Sequence, residues 1–184
     1  MDGRILKLAN SIVNYSCRVQ KGENVLISCV GEKAFPFVRA VVKEVYKAGG
    51  RPYVELKDSA VERELLMNIT EEQLKLMADI ECDKMRRMQA YIGIRGDENS
   101  AELSDVPEEK LKMYSVNFTR PVNDIRVPHT KWVVLRYPTN SMAQSANMSL
   151  EAFEDYFYNV CNLDYGKMND AMDSLKSLME RTDK

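Results

Sequence analysis

Short apolar runs alternate with stretches of helical periodicity along this chain, and that alternation limits the possible folds more than any other feature. NVLISCV (Asn24–Val30) is rich in β-branched residues and has few polar positions, the pattern of a strand buried on both faces. Val38, Val41, Val42, Val45 and Tyr46 then recur at helical spacing. Pro36 suits a first helical turn, and Gly49 and Gly50 supply a C-terminal stop. RPYVELK (Arg51–Lys57) reads as a second strand and completes a strand–helix–strand unit. TEEQ (70–73) fits a capping box, with Ile69 and Leu74 placed as its hydrophobic staple, and predicts a helix over 71–88. AYIGIRG (90–96) is a third strand, Pro107 opens a helix toward Phe118, and KWVVLRY (131–137) is a fourth strand.

Helices flank this core. Ile5, Leu8, Ala9, Ile12 and Val13 lie on one face of an N-terminal helix. Beyond the fourth strand, Leu150, Phe153, Phe157, Val160 and Cys161 mark one helix, and Met168, Ala171, Met172, Leu175, Leu178 and Met179 mark another. The prediction is an α/β fold: a mainly parallel sheet of about four or five strands, helices on both faces, right-handed crossovers and a helical C-terminal end. With 184 residues, one domain over 1–184 is expected.

A net charge of −2 and a pI near 5.6 lack the positive field of a non-specific nucleic-acid or anionic-membrane binder. Neither a signal-peptide pattern nor a run near the ~20 apolar residues of a membrane span is evident, so a cytoplasmic protein is expected. The four cysteines contain no CxxC pair and read as reduced and buried.

Candidate chemistry is sparse. The turn after the first strand, CVGEKAFPF, has one glycine, Gly31, and neither of the glycine-rich patterns that cradle phosphates. His129 is the sole histidine, in VPHTK, and reads as a loop residue; zinc needs three or four ligands, and no second histidine accompanies it. Arg120, Arg126, Lys131 and Arg136 surround it in sequence. They fit either a carboxylate or phosphate pocket or an ordinary solvated surface, with Arg136 the position of most interest. Glu151, Glu154 and Asp155 share one helical face, and Asp164 follows. Hard cations suit such oxygens, but Ser149 as N-cap and the helix dipole explain acids there without metal. No Ser/His/Asp or Cys/His arrangement is present. The residues alone describe an α/β domain without a complete active site.

W-x-x-x-R-Y-P-T followed by M-A-Q-S-A-x-M-S-x-E-x-F-E-D-x-F resembles the N-terminal half of the aminopeptidase T family, metal-dependent aminopeptidases of the AmpS and PepS types. The match is carried by Trp132, Arg136, Tyr137, Pro138, Thr139, Ala143, Ala146, Met148, Ser149, Glu151, Phe153, Glu154 and Asp155. LANSIVNYSCRVQKGENVLI (8–27) and VRAVVKEVYKAGGRPYVEL (38–56) agree with the family's first helix, strand and crossover. The resemblance implies an α/β N-terminal domain that precedes a catalytic domain. That second domain holds two divalent ions, zinc, cobalt or manganese, through glutamate, histidine, tyrosine and aspartate. No position of this chain matches those ligands, so no catalytic, cofactor or metal residue is carried over. Trp132, Arg136, Tyr137, Pro138, Thr139 and Met148 are expected at a cavity wall or an interdomain surface. The implied partners are the missing C-terminal catalytic domain, peptide substrates and a second copy in a homodimer, with no nucleic acid and no membrane. The alternative is a stand-alone module that binds a small anion or serves assembly.

Overall fold

A computed structural model describes residues 2–182. Strands β1 (Asn24–Val30), β2 (Arg51–Lys57), β3 (Ala90–Arg95) and β4 (Lys131–Arg136) form one sheet in the order β2-β1-β3-β4, with every pairing parallel. The predicted α/β class is therefore correct, and each predicted strand lies within a residue of its expected bounds. Parallel neighbours cannot be joined by tight turns, and each crossover is helical. The helices are α1 (Gly3–Asn10), α2 (Phe35–Lys47), α3 (Ser59–Asn68), α4 (Glu71–Arg86), α5 (Glu108–Tyr114), α6 (Arg120–His129), α7 (Asn140–Ser145), α8 (Leu150–Cys161) and α9 (Tyr165–Arg181).

Strand side chains alternate between two covered faces. On one face Val25, Ile27 and Cys29 of β1 and Ile92 and Ile94 of β3 meet α1, α2 and α8 through Leu8, Val41, Phe37 and Phe157. On the other, Leu26 and Tyr91 meet α4 through Cys82 and Met85, and α6 through Val122. The central strands β1 and β3 are buried almost throughout, whereas the edge strands β2 and β4 are half-exposed. A third cluster of Leu66, Ile69, Leu74 and Val106 ties α3 to α4 and to the segment before α5. Ile69 and Leu74 are both fully buried, as the staple requires, and the Thr70 hydroxyl accepts from the Gln73 amide at 3.2 Å.

Two helices escape a reading of the sequence. In α3 only Leu66 is buried, so no apolar stripe announces it; its start is set by Asp58, whose carboxylate accepts from the Val61 amide at 3.0 Å. The helix predicted from Pro107 toward Phe118 continues through a π-helical segment, Ser115–Thr119, into α6. Pro121 stands in the first turn of α6, where a missing N–H costs little, whereas Pro128 lies inside its last turn and removes one donor there. His129, expected in a loop, is instead the exposed last residue of that helix.

Candidate functional site

In an open parallel sheet the ligand crevice opens at the carboxyl ends of the strands, where connections leave to opposite sides. Here that point lies between β1 and β3, and main chain fills it. Gly31 has φ +87°, and a Cβ there would lie 2.2 Å from the Gly96 carbonyl oxygen. The Gly96 amide in turn donates to the Val30 carbonyl at 2.8 Å. Gly31 therefore permits the close approach of two turns, and no amide cradle opens toward a phosphate.

Two concavities flank this closed point. The first, about 350 Å³, lies beyond the ends of β1, β3 and β4, with Val30, Ser59, Arg95, Asp97, Arg136 and Ser141 in its wall. The second, about 290 Å³, lies on the α4 and α6 side of the sheet, against Ser28 and Tyr91. Arg95 and Glu62 border both.

The second concavity is internally satisfied. Lys84 binds the carboxylates of both Glu55 and Glu81. Burial alone lowers the Lys84 pKa, but its hydrogen bonds to the two acids outweigh that and raise it. Glu62 accepts from the Tyr114 hydroxyl at 3.1 Å, and burial, then the Glu62 charge, push Tyr114 upward. The Arg126 guanidinium stacks 4.4 Å from the Tyr91 ring centroid.

The first concavity is not satisfied in this way. Arg95 and Arg136 are direct partners in the β3–β4 register, and both are exposed. Neither makes an ion pair among the described residues. Asp97 Oδ1 is buried without a hydrogen-bond partner.

The residues singled out from sequence divide into two groups. Tyr137, Pro138 and Thr139 are interior. The Tyr137 ring stacks on Phe37 at 5.6 Å, and its hydroxyl accepts from the Tyr158 hydroxyl at 3.1 Å. Thr139 caps α7, accepting from the Met142 amide at 3.4 Å. Trp132, Arg136 and Met148 face outward. The basic residues near His129 do not converge: Lys131 pairs with Glu23 at 2.5 Å at the amino end of β4, while Arg136 sits at the carboxyl end. Arg95 and Asp97 went unnoticed in the sequence, because only strand pairing brings Arg95 beside Arg136.

The donor set does not fit a metal centre. Among the described residues no three His, Cys, Asp or Glu side chains converge as ligands. Asp155 binds Arg4, and Ser149 caps α8 by accepting from the Ala152 amide at 3.2 Å. Burial pushes the thiols of Cys17 and Cys29 up to about 11, so neither is a ready nucleophile or ligand.

A family model described as thermophilic metalloprotease (M29) matches residues 1–183. The chain belongs to that metalloprotease family. Among solved structures, wild-type AmpT from Thermus thermophilus superposes with a TM-score of 0.65 at 19% identity, covering 86% of this chain and 42% of AmpT. The likeness establishes the shared fold, and the chain spans less than half the length of that relative. A putative transcription regulation repressor of the LacI family from Corynebacterium glutamicum gives a TM-score of only 0.32 at 14% identity, over 72% of this chain and 60% of that one. That score carries no argument. No curated protein matches the chain.

Proposed function

We propose that this chain is the non-catalytic, amino-terminal α/β domain of a metal-dependent aminopeptidase whose parent removes N-terminal amino acids from peptides. The observation that carries the reading is the coverage: the likeness fills 86% of this chain but 42% of AmpT. The donor set supports it, since the one histidine stands exposed at the end of α6, away from any cluster of acids. The two divalent ions of the parent, zinc, cobalt or manganese, would then be held by side chains outside this domain. No helix among the described residues is long and apolar enough to cross a membrane. A cytoplasmic homodimer is the proposed setting.

The domain's role in this reading is to wall the catalytic cavity and to dock the rest of the parent. Two apolar surfaces suit docking. In α9, Met172, Leu175, Leu178 and Met179 are each more than half exposed, and no residue of the helix is buried. On β4, Trp132 and Val134 are exposed on the same face as Arg136. Contiguous uncovered apolar surface of this kind marks an interaction site. Trp132, Arg136 and Met148 would lie at that surface, with Tyr137, Pro138 and Thr139 holding the strand exit beneath it.

The test is release of p-nitroaniline from leucine-p-nitroanilide with added cobalt, zinc or manganese, by the 184-residue chain and by the longer parent chain. Activity confined to the parent is expected. Metal-dependent turnover by the 184-residue chain would overturn the proposal.

A further inference from the structure

We propose that the cavity beyond β1, β3 and β4 binds a small α-amino-acid zwitterion, its carboxylate held by Arg95 and Arg136 and its ammonium group set against Asp97. Register places the two arginines side by side on one face of the sheet, about 4.8 Å apart along the hydrogen-bonding direction. Like charges on directly paired residues are mutually unfavourable, and an anion set between them offsets that. Their guanidinium groups offer the planar donor fork that suits a carboxylate.

Asp97 supplies the opposite charge two residues beyond Arg95. Asp97 lines the same cavity, and its carboxylate makes no ion pair among the described residues, so it is not committed to a cation of the fold. The other acids of the wall are engaged: Glu62 accepts from Tyr114 at 3.1 Å, and Glu102 accepts from the Asn99 side chain at 2.7 Å. What remains is two guanidinium groups and one carboxylate around about 350 Å³, room for a free amino acid or a dipeptide. Met142 and Leu103 line the same cavity and offer an apolar wall to a side chain. The site lies wholly within this chain and does not depend on the peptidase reading.

Isothermal titration of the 184-residue chain tests the proposal, with leucine and glycyl-leucine as ligands. Leucinamide lacks the carboxylate, N-acetylleucine lacks the ammonium group, and inorganic phosphate and acetate are simple oxyanions. Saturable binding of leucine or glycyl-leucine is expected, and the tighter of the two identifies the natural length. Leucinamide and N-acetylleucine should both bind more weakly. Arg136→Gln, at an exposed position that folding tolerates, should weaken leucine about tenfold, the loss of one charge-assisted hydrogen bond. Asp97→Asn should weaken leucine while leaving N-acetylleucine unchanged; where that variant does not fold, the comparison of ligands on the unaltered chain decides. The proposal fails if leucine and glycyl-leucine do not bind. It fails equally if phosphate or acetate binds as tightly as leucine.

Discussion

Replacing Gly31 by alanine tests the closure of the carboxyl edge. The residue has φ +87° and ψ 129°, a region that side-chain-bearing residues occupy only at a cost of about 1–3 kcal/mol. The new methyl group would also meet the Gly96 carbonyl oxygen at 2.2 Å, the Gly96 carbonyl carbon at 2.5 Å and the Asp97 amide at 3.0 Å. All three are main-chain atoms held by the sheet, so no flexible side chain can yield, and overpacking of this kind adds about 1–3 kcal/mol. The expected total is about 2–6 kcal/mol, the sum of the two costs. Gly22→Ala is the control. Its φ is +85°, but nothing lies within 4 Å of the added carbon, so only the conformational penalty of about 1–2 kcal/mol applies. Urea unfolding of the two variants and the unaltered chain, compared at constant m-value, separates the terms. Equal losses in the two variants would refute the close packing of the turns after β1 and β3.

Thr70→Ala removes the cap of α4 and should cost about 1 kcal/mol, lowering the melting temperature by about 2–4 °C in calorimetry. Tyr158→Phe deletes the hydroxyl that donates to Tyr137 in the buried core and should cost about 1 kcal/mol in the same assay. Glu44 governs part of the acid response. Burial pushes its carboxyl up, but hydrogen bonds from Lys47, Asn10 and Asn14 outweigh that and hold it below its ordinary value of 4.5. The unfolded chain therefore binds the proton more readily. Stability from this group is present above pH 4.5 and lost as pH falls through the lower folded value. Glu44→Gln should flatten the acid limb of a stability–pH curve in that window.

The strands were legible because each is a compact apolar run bounded by turn residues, and because burial of β1 and β3 on both faces leaves almost no polar interruption. The cap of α4 was legible because Thr70, Gln73, Ile69 and Leu74 act within one turn. Helix α3 was not, since it rests on the protein through Leu66 and leaves Val61 exposed. The C-terminal half of the α5–α6 helix was hidden by its prolines. The site was harder still. Tyr137 and Thr139 stand in a distinctive segment, and their side chains are buried there, one stacked on Phe37 and the other capping α7. Arg95 and Asp97 gave no local signal: their neighbourhood with Arg136 exists only after β3 and β4 pair.

Titration of cobalt or zinc into the 184-residue chain addresses the central claim most directly. If the metal ligands belong to another part of the parent, calorimetry should show no stoichiometric, saturable site, and His129→Ala should leave the trace unchanged. A saturable metal site in this chain, lost on His129→Ala, would contradict the account.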